Sequence, residues 1–442
     1  MRGLIVHMAI CGALLMTGGA NLHAQTKADI IPNLSDNQLL DLVQKQTFHY
    51  FWDFAHPVSG LSRERSNVTH YGPEVVTIGG TGFGVMAMVV AAERGFAGRD
   101  TVVGRLHRML DFLEKSDRFH GIFPHWLDGA TGKTIPFSKK DDGADLVETS
   151  FLFQGLLTAR QYFDAPADAE KSLRDKINKL WREADWQWFT RGKDVLYWHW
   201  SPVHEWAMNH EIRGWNECLI TYVLAASSPT KPISRPVYEK GWKQSKHYEN
   251  GKTFYDIRLP LGFDYGGPLF FAHYSFLGLD PRGLNDGVVD YWELNRSHAL
   301  INYQHCVRNP KSFAGYGADC WGITASDSPG GYDAHSPTND LGVISPTAAL
   351  SSFPYTPQES MRALRHFYEK LGHKIWSEYG FIDAFSEQQN WYAGSHLAID
   401  QGPIIVMIEN HRSGLLWRMF MGCPELKKGL GELGFRSTHI KS

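Results

Sequence analysis

In 442 residues the chain sets 44 Lys and Arg against 47 Asp and Glu, a formal charge of −3 that excludes the basic surface of a nucleic-acid-binding protein. Five cysteines are too few for a disulfide scaffold and their spacing fits no zinc pattern. The 21 histidines include no His-Glu-x-x-His, so neither a metal nor another cofactor is expected.

Arg2 precedes an apolar run from Met8 to Met16, and Leu22-His23-Ala24 before Gln25 has the form of a signal-peptidase site. Residues 1–24 therefore read as a cleaved leader, and losing Arg2 with it takes the charge from −3 to −4. The destination is the periplasm or the exterior. Cys11 lies inside the apolar run, too early for a lipoprotein signal, and no later stretch holds the roughly 18 to 20 uninterrupted apolar residues of a membrane span. The expectation is one domain over residues 25–442, monomeric and without a membrane anchor. Cys306 and Cys320 either pair in that oxidising compartment or remain buried thiols.

Along the mature chain, stretches rich in small and aromatic residues open just after loops. They are TGFGVMAMVVAAERGF (81–96), ETSFLFQGLLTARQYF (148–163), NECLITYVLAA (216–226), HYSFLGLD (273–280), SPTAALSSFP (345–354) and GPIIVMIENHRSGLLWRMF (402–420). Helices apolar on all sides must be buried, whereas the charge-faced stretches between them (101–116, 169–186, 288–309, 357–376) can face water. Successive inner starts fall 57 to 72 residues apart, which leaves room for two helices and their loops in each interval. The pattern predicts an all-α (α/α)6 barrel of six inner and six outer helices. One excursion interrupts it: Asn250-Gly251 within 246–267 predicts a β-hairpin with a type I′ turn over the cleft.

In such a barrel the inner helices start on one side, and three of them carry acids there. Asp141, Asp145 and Glu148 precede or open the second, Glu217 follows Gly214-Trp215-Asn216 at the third, and Asp400 precedes Gln401-Gly402-Pro403 at the last. Capping explains part of this, since Asp145-Leu-Val-Glu148 has the form of a capping box and Asp400 suits an N-cap. Glu217 resists that reading, because Cys218-Leu219-Ile220 follow at once and a carboxylate among inner-helix residues is normally avoided. Converging carboxyls suit glycosidic hydrolysis, which needs one protonated to release the leaving oxygen and one ionised to activate water. Aromatic loops such as LYWHWSPVHEW (196–206) and 315–340 offer flat faces for a pyranose.

The segments DDGADLVETSFLFQGLL, GWNECLITYVLAAS, FDYGGPLFFAHYS and HLAIDQGPIIVMIENHRSGLLW resemble glycoside hydrolase family 144, bacterial β-1,2-glucanases with a glycoamylase-like domain. The likeness runs from His49 to Cys423. It implies an (α/α)6 barrel, no metal, and inverting cleavage of β-1,2-glucan to sophorose and longer sophorooligosaccharides. Its acidic cleft positions fall on Asp141, Asp145, Glu148, Glu217 and Asp400. Glu217 is expected as general acid, with Glu148 or Asp145 supporting the attacking water. Trp215 and Trp321 are expected to stack on sugar, and Asn216, Tyr392, His396 and Gln401 to hydrogen-bond it. Arg94, Arg213 and Arg412 are expected to fix loops or tune carboxylate pKa values rather than bind a neutral glucan. Competing readings are an exo-acting, sophorose-releasing enzyme, a transglycosylase, a non-catalytic glycan binder, and a polysaccharide lyase, the last disfavoured because its uronate substrate needs a positive rim.

Overall fold

Ser35 begins the regular structure with a capping box: its hydroxyl accepts from the Gln38 N–H, and the Gln38 side chain accepts from the Ser35 N–H, opening α1 (Asp36–Trp52). The computed structural model describes residues 28–440, so the expected leader and Cys11 lie outside the described residues. Inner and outer elements then alternate. Inner α2 (Ile78–Arg94) is followed by outer α3 (Arg99–Leu113), α4 (Leu146–Tyr162) by α5 (Asp168–Glu183), and α6 (Leu219–Ser227) by a π-helical turn at Val237–Lys243. Two 3-10 turns, Leu269–Ala272 and Tyr274–Leu277, lead to α7 (Tyr291–Arg308). α8 (Pro346–Leu350) leads to α9 (Pro357–Arg365) and α10 (Gly372–Ile375), and α11 (Ala398–Arg412) to α12 (Leu415–Met421) and α13 (Pro424–Glu432). This is the expected (α/α)6 barrel, with only short β-ladders in its loops. Among the described residues no helix is long and apolar enough to cross a membrane.

Several details differ from the expectation. The fourth inner element is a pair of 3-10 turns, because Gly266 and Gly267 adopt positive φ and Pro268 restarts the chain. The fifth inner helix has only five residues. The sixth starts at Ala398, not Gly402, so Asp400 lies inside its first turn, and it ends where Gly414 turns left-handed at φ 67°. The hairpin is present, but its turn sits at Tyr255-Asp256 (φ 52° and 66°) between Thr253–Phe254 and Ile257–Arg258. The ladder runs on past Asn250, whose N–H donates to Pro260 O, while its side chain bonds Gly262 O and the Lys252 N–H. Cys306 and Cys320 are free buried thiols, like Cys218 and Cys423.

α2 is the hub of the barrel. Its opening IGGTGFG lets two neighbours approach to backbone contact: a Cβ on Gly82 would lie 2.1 Å from Phe151 O of α4, and one on Gly155 of α4 would lie 2.1 Å from Gly82 O. On the other flank, a Cβ on Gly80 would meet the Ala398 Cβ of α11 at 2.6 Å, and one on Gly402 would meet the Phe83 Cβ at 2.5 Å. The barrel floor is tied by Arg94 Nε to Glu409 Oε2 at 2.8 Å, joining the ends of α2 and α11. Arg412 bonds Asp41 and Gln44, and Arg213 bonds Glu211 and two carbonyls, so all three arginines hold elements together as expected.

Gly82→Ala tests the hub. In an open helix this change gains about 1 kcal/mol in propensity, but overpacking against immovable backbone costs about 1 to 3 kcal/mol or more. The expected outcome is a net loss of stability, read as a lowered urea midpoint, whereas Gly104→Ala in outer α3, where a Cβ meets nothing within 4 Å, is neutral or stabilising.

Candidate active site

Asp145 caps α4. Its Oδ1 accepts from the Val147 and Glu148 N–H groups at 3.0 and 2.9 Å and from Trp198 Nε1 at 3.0 Å, and its Oδ2 accepts from His125 Nδ1 at 2.9 Å. A two-residue ladder, Ala144–Asp145 against His199–Trp200, brings His199 alongside, with Nε2 3.4 Å from Asp141 Oδ2. Glu148, one turn into α4, aims back at the start of α2, where its Oε2 accepts from the Gly79 N–H at 2.8 Å. A Cβ on Gly79 would sit 2.5 Å from that oxygen, so any side chain there displaces the carboxylate. Glu148 Oε1 makes no hydrogen bond within the described residues.

Glu217 is placed from below. Ser275 Oγ donates to Glu217 O at 2.5 Å and accepts from the Ile220 N–H at 3.1 Å, so the second 3-10 turn clamps the approach to α6. The Glu217 carboxyl is half-buried, within electrostatic reach of Glu148 and Asp145. Tyr274, beside that clamp, feels Asp400, Glu148 and Glu217 together. Three of the five carboxylates expected from the sequence, Asp400, Glu148 and Glu217, thus act on one ring, and Asp141 and Asp145 adjoin Glu148.

Asp400 has a partner that sequence reasoning missed. Asp383, in the loop before α11, lies beside it, with Asp383 Oδ1 and Asp400 Oδ2 both buried and unpartnered among the described residues, while Asp383 Oδ2 accepts from the Asp327 N–H at 2.7 Å. Arg65 bridges Glu64 (2.7 Å) and Asp327 (3.1 Å), and Tyr332 feels Asp400, Asp383, Asp327 and Glu64 at once. One signal was available: an acid inside the apolar run GFIDAF. His125, in FPHW, carried no comparable mark.

Burial and charge split these acids. Burial alone would lower His125, but Glu148, Asp145 and Asp141 outweigh it and hold the imidazole protonated up to about 10. Burial likewise presses on Asp145, yet His125, His199 and the Glu148 N–H pull its pKa below the usual carboxylate value. Asp141 lacks such donors, its Oδ1 is buried without a partner, and burial with the Asp145 charge raises it to about 7. Burial raises Glu217 to about 7. Burial and the Asp327 charge raise Asp383 to about 7, and burial with the Asp383 charge raises Asp400 well above the usual carboxylate value. His199 is driven down by burial to about 4 and stays neutral. His125, Asp141 and Asp145 put ligand atoms within 4.8 Å of one another, a spacing a divalent cation can use.

The six expected sugar-binding residues divide. Trp215 and Trp321 are buried: Gly262 packs on the Trp215 ring, and Trp321 donates from Nε1 to Glu359 O and meets Tyr303 edge-on. Neither offers a free face. His396 is buried between the Ser66 and Ser377 hydroxyls, and Gln401 donates to Tyr379 O and Phe381 O. Asn216 Oδ1 accepts from the Cys218 N–H, and Tyr392, on the surface, accepts from Lys374 Nζ. Asn216 and Tyr392 alone of the six keep partial exposure.

Comparison with known proteins adds four findings. The Glycoamylase family model matches residues 209–424. The exo-β-1,2-glucooligosaccharide sophorohydrolase (non-reducing end) of Parabacteroides distasonis is 46% identical over 432 residues, covering 93% of this chain, which spans 60% of that relative's length. An endo-β-1,2-glucanase from Chitinophaga pinensis, solved with sophorotriose and glucose, is 53% identical with a TM-score of 0.90, covering 92% of this chain and 100% of its own. An endo-β-1,2-glucanase from Talaromyces funiculosus shares the fold alone, at 12% identity and a TM-score of 0.61 over 87% of each chain.

Two stability changes follow from the titrations, with opposite signs. A group whose folded pKa is raised binds its proton more tightly in the native state, so its contribution is present below the unfolded pKa and lost as pH rises through the folded one. Asp383→Asn removes that loss and gives Asp400 an N–H donor, so it stabilises the protein at pH 8 by about 2 kcal/mol and changes little at pH 4. His125→Gln removes a favourable raised pKa and costs most below pH 6.5, with the cost shrinking toward pH 10. Chemical denaturation across this range measures both.

Proposed function

The chain belongs to glycoside hydrolase family 144, the glycoamylase-like β-1,2-glucanases, and from that premise we propose that it cleaves β-1,2-glucan within the chain, with inversion, outside the cytoplasm after loss of residues 1–24. The observation that carries the reading is the half-buried Glu217 carboxyl, raised to about 7 beside an acid cluster whose other members are fixed in different protonation states. Glu217 gives its proton to the glycosidic oxygen as the C1–O bond breaks. A water attacks C1 from the opposite face and yields its proton to a carboxylate, leaving the anomeric carbon inverted.

Glu148 suits the role of base. One oxygen is pinned by Gly79 and the other has no hydrogen bond among the described residues; burial raises its pKa although the neighbouring His125 imidazolium pulls it down, and a carboxylate held above its ordinary range is the stronger base. Asp145 is already occupied by four donors and orients His125 and the start of α4 instead. Endo action is supported by the higher identity to the Chitinophaga enzyme, and the Parabacteroides relative keeps exo release of sophorose as the second reading.

Incubating the protein with linear β-1,2-, β-1,3- and α-1,4-glucans and resolving products by size and anomeric NMR tests the proposal. Mixed sophorooligosaccharides early, formed as the α-anomer from the β-1,2-glucan alone, are expected, whereas sophorose alone from the first minutes supports exo action and no cleavage sinks both. Glu217→Gln lowers kcat by roughly 100- to 10,000-fold with the fold intact by circular dichroism. In the wild type, kcat/KM falls on the alkaline side as Glu217 loses its proton around pH 7.

A further inference from the structure

The hairpin that rises over the barrel mouth borders a recess of about 500 Å3, lined by His247, Asn250, Lys252, Phe263, Asp264 and Thr338. That volume falls in the range of small-molecule sites, roughly 300 to 1,000 Å3. Phe263 is 41% exposed, with its ring stacked on His247 at 5.3 Å and 25°. Around it, Asp264 accepts from Lys252 Nζ at 2.9 Å and from Asn250 Nδ2 at 3.2 Å, with Lys252 and Asp264 exposed and Asn250 half-buried. Lys246 and Glu249 complete the lining, so two positive and two negative charges balance. An exposed aromatic face ringed by donors and acceptors of zero net charge suits an uncharged polyol and gives an anion no preference.

Three connections tie this recess to the carboxylates. Gly262, beside Phe263, packs on Trp215, where a Cβ would lie 2.6 Å from Cδ1, and Trp215 is two residues from Glu217. A run of rings leads inward from Phe263 to Phe271 (6.3 Å), Phe270 (4.8 Å) and Tyr274 (4.8 Å), the ring that feels both acid flanks. Thr338 lies four residues beyond the short ladder of Ala325–Ser326 with Asp333–Ala334, whose connection carries Asp327 and Tyr332. We propose that this recess is an outlying subsite for the glucan chain, with Phe263 as its platform, an inference that rests on the activity proposed above. The protein then grips its polymer away from the cut, and long chains are preferred to short ones.

The test compares wild type, Phe263→Ala and Phe263→Tyr on linear β-1,2-glucan and on the shortest sophorooligosaccharide the wild type cleaves, with affinity electrophoresis in gels containing the glucan. Losing the stacked face lowers kcat/KM on the polymer by about tenfold and weakens retention in the gel, while the short substrate is unaffected and Phe263→Tyr behaves as wild type. Equal losses on both substrates, or no loss on either, overturn the subsite. A wild type that cleaves neither substrate sinks the proposed activity. In that case, retention that still depends on Phe263 upholds the recess as a glucan site, and retention without that dependence, or none, overturns it.

Discussion

The contact on which the barrel mouth depends is the glycine-lined start of α2 against α4 and α11. Backbone approaches this close leave no room for a Cβ, and they do two jobs at once. They close the inner ring between its first and last members, and they bring the Glu148 carboxylate onto the Gly79 N–H, an unsatisfied donor at a helix N-terminus. Asp400 arrives on the opposite flank by the same means, because Ala398 seats against Gly80. Packing and catalytic placement are here one geometric requirement.

Concentrating acids at that mouth sets fold stability against function. Burying a carboxyl without enough donors is costly, and the chain answers differently at each position. Asp145 receives four donors and a counter-charge from His125. Asp383 and Asp400 have raised pKa values that favour their neutral forms, with Arg65 taking up the charges of Glu64 and Asp327 nearby. Asp141 and Glu217 are left poor in donors and, like Asp383, are able to carry a proton near neutral pH. One cation on each flank is enough to separate acids that must ionise from acids that must not.

Helix periodicity located all six inner elements and the outer stretches between them, because a helix apolar on every side has no other place to go. It erred where local chemistry overrode the pattern: at HYSFLGLD, where the preceding Gly-Gly-Pro sets two 3-10 turns, and at Asn250-Gly251, where the hairpin turn moved to Tyr255-Asp256. The acids at helix starts were legible from the same pattern, since Asp145, Glu148, Glu217 and Asp400 interrupt apolar runs at matching positions. The sugar contacts were not. Trp215 and Trp321 look like platforms in a loop, but their rings are filled on both sides by residues far away in the chain.

By itself the sequence determined the helical class, the alternation of inner and outer elements, and which carboxylates share one end of the barrel, because periodicity and helix polarity are local properties. Only tertiary structure decided that Asp383 meets Asp400, that His125 holds Asp145 ionised, and that Phe263, not Trp215 or Trp321, shows an aromatic face to solvent. Those outcomes depend on burial and on charges brought together from distant segments, and neither is written in the spacing of residues along the chain.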